Sequence, residues 1–147
     1  MESNIVIRKL DVNDYKKGFL ECLGFLTKIE NVTELEFQEH FRMLQAKGDY
    51  LIYVAEDNDI IVGCGTLMIE YKFIRGLAKK GHIEDIVVRD THRKRGIGIN
   101  IIKKLLEKSK EIGCYKTALC CKDENIKFYE KCGFKVSERE MVIYHNK

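Results

Sequence analysis

Arg93-Lys94-Arg95-Gly96-Ile97-Gly98 stands between a β-branched stretch that closes at Val88 and a run of helical periodicity that reaches Ile112. A helix start leaves about four backbone N–H groups without intrahelical acceptors and presents the positive end of the helix dipole. Glycines there let a diphosphate approach the backbone, and flanking Lys and Arg add charge, so a phosphate-bearing cofactor is the natural ligand. Two familiar phosphate loops do not fit. Gly96-Ile97-Gly98-Ile99-Asn100-Ile101 lacks the third glycine of the dinucleotide fingerprint, and no Gly-x-x-x-x-Gly-Lys-Ser/Thr loop occurs. The plain alternative for the turn alone is a glycine-eased helix start with solvated charges.

Downstream, Ile102, Leu105, Leu106, Ser109 and Ile112 share one helical face, and Gly113 is the expected stop. Tyr115–Cys120 reads as a short strand, Glu124–Lys131 as a short helix stopped by Gly133, and Glu140–Tyr144 as a closing strand. Upstream, His82–Val88 reads as a strand, preceded by a basic loop or frayed strand end over Lys72–Gly81. Tyr50–Ala55 and Ile60–Tyr71 form a hairpin about the polar turn Glu56-Asp57-Asn58-Asp59. Thr33 and Glu36 make a capping box for a helix carrying Phe37, Phe41 and Leu44, with Gly48-Asp49 after it. Asn13 is the expected cap of an earlier helix with the stripe Tyr15, Phe19, Cys22, Leu23 and Leu26. Ile5–Arg8 opens the chain as a strand. The order is β-α-α-β-β-β-α-β-α-β, without repeats or linkers, which implies one α/β domain over residues 1–147.

The 147 residues suit one core, and 45% hydrophobic with 33% charged residues is an ordinary globular balance. A formal charge of +3 is too small to indicate nucleic-acid binding, and no aromatic-interleaved basic face is visible. No apolar run approaches the roughly 20 residues of a membrane span, and Met1-Glu2-Ser3-Asn4 lacks the features of a signal peptide. The expectation is a cytoplasmic protein. The six cysteines (22, 64, 114, 120, 121 and 132) then read as reduced thiols. They form no Cys-x-x-Cys pair, and no metal is expected. His82 and Glu84, two apart on one strand face, lack a third ligand nearby.

Arg-x-x-Gly-x-Gly after a strand, in this order of elements, resembles the acetyl-CoA motif of the GNAT N-acetyltransferase superfamily. Three blocks narrow the likeness: Gly81-His82-Ile83-Glu84-Asp85-Ile86-Val87-Val88, Gly113-Cys114-Tyr115-Lys116, and Asn125 through Phe134. They stand at the spacing of the eukaryotic glucosamine 6-phosphate N-acetyltransferases, and Leu26-Thr27 and Lys72-Phe73-Ile74 extend the likeness into the N-terminal half. The resemblance implies a single GNAT-like α/β domain with a mixed, mostly antiparallel central sheet flanked by helices. It implies acetyl-CoA as co-substrate, glucosamine 6-phosphate as acceptor, and a homodimer.

By the same resemblance, the acetyl-CoA diphosphate lies on Lys94, Arg95, Gly96, Ile97, Gly98 and Ile99. The pantetheine arm pairs with Ile86, Val87 and Val88, and Asn125, Tyr129 and Lys131 meet the cofactor from the other side. Thr27, Lys72 and Lys116 hold the sugar phosphate, with Phe73, Ile74 and Arg75 around it. Glu84 and Asp85 are the acids near the sugar; adjacent strand residues face opposite ways, so only one points at the ligand unless a bulge intervenes. Tyr129 faces the leaving sulfur. From reference values, full proton transfer from a tyrosine to a thiolate is uphill by about 2 kcal/mol, so its role is hydrogen-bond donation. Two positions depart from the family pattern. Cys120 stands in the substrate site where relatives carry an acidic residue, and Tyr144 where they carry a phosphate-contacting arginine. Acetylation of another amine and non-catalytic polyanion binding are the competing readings.

Overall fold

The structure is a computed structural model that describes residues 4–146. Five strands form one sheet in the order β1-β2-β3-β4-β5: β1 Ile5–Lys9, β2 Tyr50–Asp57, β3 Ile60–Tyr71, β4 Lys79–Val88 and β5 Cys114–Leu119. The first three pairings are antiparallel and β4–β5 is parallel. The sheet is thus mixed and mostly antiparallel, as expected. The α-helices are α1 Phe19–Leu23, α2 Glu34–Lys47, α3 Ile74–Leu77, α4 Ile97–Ile112 and α5 Ile126–Lys131.

Successive strand residues face opposite sides, so Ile61 and Val62 enter different cores. Val62, Leu67, Ile69 and Ile83 pack under α4 through Ile97, Ile101 and Leu105. Ile61, Val54, Cys64 and Val87 pack against Phe19, Cys22 and Phe37 of α1 and α2. The β2–β3 hairpin turns through Asn58 and Asp59, both at positive φ (50° and 67°), the two-residue geometry whose twist suits flanking strands. Thr33 and Glu36 make the expected reciprocal cap. Gly113, at φ 96°, ends α4 in the left-handed conformation.

Several expectations are corrected. Asp11, not Asn13, caps the first helical segment, a 3₁₀ turn over Val12–Lys17. Asp14 is fully buried there, taking two bonds from Arg8 and one from the Asp11 amide. Gly18 at φ 81° then breaks the stripe before α1, so Phe19 and Cys22 are buried while Leu26 remains 47% exposed. The basic segment contains the short α3, and β4 begins three residues earlier than expected, at Lys79. Cys120 lies just beyond β5, and α5 is preceded by a 3₁₀ turn over Asp123–Asn125. The closing strand is absent: Glu140–Tyr144 is irregular and exposed. Among the described residues no strand pairs with it, and an extended segment without a ladder partner is not a strand.

Two features of β4 shape the candidate site. Cys64 pairs with Val87 and Thr66 with Glu84, so three steps along β4 match two along β3. The extra residue is a β-bulge centred on Asp85, whose φ is 55°. The parallel pairing of β4 with β5 ends at Ile83–Leu119. From Glu84 onward β4 is laddered on its β3 side alone among the described residues, its pairing with β5 having ended.

Candidate active site

The bulge settles how the acidic pair is displayed. Regular pleating would send one of two adjacent carboxylates inward, yet Glu84 and Asp85 are both exposed, between buried Ile83 and buried Val87. The Glu84 carboxyl sits above its usual range, chiefly through burial, then through the charges of Asp85 and Glu140, with His82 opposing. Cys120 shares that environment: burial, Glu140 and Glu84 push its thiol up, keeping it neutral. Glu140 therefore stands near Glu84 and Cys120, although pattern reading assigned it only to a strand. Periodicity carries no signal for a carboxylate brought back by an irregular tail.

Ile86, Val87 and Val88 follow the bulge on the half of β4 that β5 has left. A free strand edge offers N–H and C=O groups to an amide-bearing ligand. Beyond it, Asp90–His92 forms a 3₁₀ turn, and Lys94 and Gly96 adopt φ 64° and 79° before α4. The first α4 bond runs from Asn100 N to Gly96 O, and no side chain caps the helix. The amides of Ile97, Gly98 and Ile99 consequently precede any intrahelical acceptor, beside exposed Lys94 and Arg95. Gly96 is required by its left-handed backbone. A Cβ on Gly98 would meet only ordinary contacts, Phe128 at 3.4 Å and Val88 at 3.6 Å, so packing within the chain leaves room for a side chain there. Open backbone at that point suits a ligand lying close to it.

After β5, Asn125 precedes α5 as its N-cap residue and Tyr129 lies half-buried within that helix. Its ring makes edge contacts with Phe128 (5.0 Å) and Phe134 (6.2 Å). Burial, then Cys121 and Cys132, push its phenol up, so the group is a neutral donor throughout the ordinary pH range. Lys131 is exposed at the end of the same helix.

The basic groups gather at the other end of β4. Arg75 lies over the Tyr115 ring at 4.8 Å and Lys116 Nζ at 5.6 Å, so one aromatic ring attracts two cations. Lys72 Nζ donates to Glu70 at 3.0 Å, and His82 Nε2 lies 2.7 Å from the other Glu70 oxygen. These contacts hold the Glu70 carboxyl down at about 2. His82 and Tyr115 lie within the motif blocks quoted above, whereas Glu70 carries no signal in the sequence pattern. The side chains are largely free, Phe73 being 92% exposed and Ile74 59%, while their carbonyls accept from Leu77 N and Ala78 N. Thr27 is exposed after α1, its amide bonded to Leu23 O. No hydrogen bond or ion pair among the described residues joins it to Lys72 or Lys116. No group of three or more His, Cys, Asp or Glu suits a metal among the described residues.

The acetyltransferase (GNAT) family model matches residues 12–134. Glucosamine 6-phosphate N-acetyltransferase 1 of Dictyostelium discoideum is 42% identical over 147 residues, covering 98% of this chain and 93% of its own length. The Arabidopsis thaliana glucosamine 6-phosphate N-acetyltransferase is 41% identical, covering 98% and 99%. A crystal structure of glucosamine-6-phosphate N-acetyltransferase from Arabidopsis thaliana superposes with a TM-score of 0.95 at 40% identity, over 97% of this chain and 99% of that one. A Trypanosoma brucei acetyltransferase gives 0.89 at 35%, over 96% and 99%. A sheet that splays after a bulge, an uncapped glycine turn, and relatives matched over nearly their whole length agree: the chain belongs to the GNAT acetyltransferases and, within them, to the family of glucosamine 6-phosphate N-acetyltransferases.

Proposed function

We propose that this protein transfers the acetyl group of acetyl-CoA to the 2-amino group of D-glucosamine 6-phosphate, giving N-acetylglucosamine 6-phosphate and CoA. The observation that carries the reading is the parting of β4 from β5 at the Glu84-Asp85 bulge, directly upstream of the uncapped turn. The diphosphate takes the N–H groups of Ile97, Gly98 and Ile99 with Lys94 and Arg95. The pantetheine amides extend along Ile86, Val87 and Val88, while Asn125, Tyr129 and Lys131 bound the other wall. The thioester then reaches the cleft beside both acids. At the opposite end Lys72, Arg75 and Lys116 offer the positive charge that a sugar phosphate needs, with Thr27, Phe73 and Ile74 closing around the substrate.

The neutral amine attacks the thioester carbonyl. A backbone N–H of the Ile86–Val87 segment stabilises the oxyanion. Glu84, with its raised carboxyl, is a stronger base than an ordinary carboxylate and takes the ammonium proton, while Asp85 holds a sugar hydroxyl. As the C–S bond breaks, Tyr129 donates a hydrogen bond to the thiolate. Its raised phenol makes full proton transfer less favourable still, so the thiolate departs hydrogen-bonded. Cys120 supplies no charge here; the nearby Glu140 carboxylate supports the reading that the acidic character of this position comes from the tail.

The reaction belongs, in our reading, to the cytosol. No helix among the described residues is long and apolar enough to cross a membrane. We also propose a homodimer: Met141, Val142, Ile143 and Tyr144 are 93%, 61%, 81% and 78% exposed, and a second copy is the occupant that would bury them.

The test is CoA thiol release from acetyl-CoA with glucosamine 6-phosphate, plain glucosamine or a polyamine, in thiol-free buffer with a no-acceptor blank. Release dependent on the 6-phosphate is expected. Release with another amine alone would overturn the acceptor, and no release with any would overturn the activity.

A further inference from the structure

Within the basic cluster Thr91–Arg95, His92 does not face solvent as its neighbours do. Its side chain is 17% exposed, and Nε2 lies 2.8 Å from Oδ2 of Asp57, itself 20% exposed. Nδ1 lies 2.8 Å from Thr91 Oγ1, so both ring nitrogens are engaged. An ionised Asp57 only accepts, which makes Nε2–H the donor in that contact. Asp57 is the last residue of β2, in the hairpin with Asn58 and Asp59. One side chain thus ties the loop between β4 and α4 to a rigid turn of the sheet.

That loop needs tying. Lys94 holds φ 64° without being glycine, a conformation that persists when surrounding contacts over-determine it. The His92 amide bonds Arg89 O at 2.9 Å, and Arg93 Nε reaches Val88 O at 3.2 Å. Those bonds anchor the loop to its own strand. Arg89, at the start of the loop, donates Nε to Ile61 O at 2.6 Å, and the His92–Asp57 contact is the side-chain tie to the hairpin that lies nearer in sequence to Lys94. We infer that His92 and Asp57 are positioning residues for the cofactor: together they hold the Lys94–Gly98 turn in the geometry that receives the diphosphate, without touching the ligand. The inference rests on assigning the diphosphate to that turn.

Calorimetric titration of the whole protein with CoA tests it, since binding does not depend on which amine is acetylated. Asp57→Ala and His92→Ala should each weaken the CoA dissociation constant about five- to tenfold, because the turn must be ordered as the ligand binds. The double variant should be no weaker than either single one, because both remove the same hydrogen bond. His92→Phe fills the ring's place without its hydrogen bonds and should weaken CoA equally, while KM for the sugar phosphate stays within about twofold. Wild-type affinity in His92→Phe would overturn the inference. So would fully additive losses, or an equal rise in the sugar KM, which would mark a general disturbance of the fold. Failure of the underlying assignment looks different: a Lys94→Ala/Arg95→Ala variant would bind CoA as tightly as wild type.

Discussion

Glu84 shows how the site works against the fold. Burial, Asp85 and Glu140 raise its carboxyl from the ordinary 4.5. A raised carboxyl favours the folded state in its protonated form. That stabilisation is complete below the unfolded value near 4.5 and is lost as pH rises through the folded value. Glu84→Gln should therefore unfold at a higher temperature than wild type at pH 7, the gap closing as pH falls below about 4.5, while kcat drops. Melting curves across pH with steady-state rates check both signs. Tyr129→Phe should lower kcat about ten- to hundredfold and leave KM for acetyl-CoA within about twofold, because the lost hydrogen bond forms with the developing thiolate. At this scale the identities of Glu84, Asp85 and Tyr129 were legible in local motifs. The company of Glu84 was not, because His82 shares its strand whereas Glu140 returns from a distant, irregular tail.

Among the elements, the bulge on β4 depends on its neighbour. Gly65 faces it from β3, and a Cβ there would come within 2.5 Å of Ile86 Cδ1, 2.9 Å of Ile101 Cγ2 and 3.0 Å of Leu105 Cδ1. Gly65→Ala should cost about 1–3 kcal/mol by overpacking. It should also lower kcat/KM, since relief comes most directly by moving Ile86 and with it the display of the acids. Urea unfolding alongside kinetics checks the pair; a stability loss with unchanged kcat/KM would contradict it. Element types were legible wherever period and caps agreed, as in the Thr33–Glu36 box and the Gly113 stop. The bulge was not, because a strand with one extra residue keeps the same composition. Nor was the break at Gly18, since Tyr15, Phe19 and Cys22 keep helical spacing across it.

At the scale of the whole molecule, the exposed tail is the segment that the proposed homodimer would bury. Met141→Ser/Ile143→Ser should sediment as a monomer where the wild type sediments as a dimer, and its sugar-phosphate KM should rise. Both chains sedimenting as monomers would sink the dimer. By itself the sequence determined the order of the elements from β2 to α5 apart from the short α3, the glycine turn and the family, because helical and strand periods, caps and short motifs are properties of neighbouring residues. Only the tertiary structure decided where β4 parts from β5, that both acids are exposed, that Glu140 stands near Glu84, and that Glu140–Tyr144 forms no strand. Each depends on which backbone groups find a partner across space, and register, bulges and returning tails are settled by that competition rather than by local pattern.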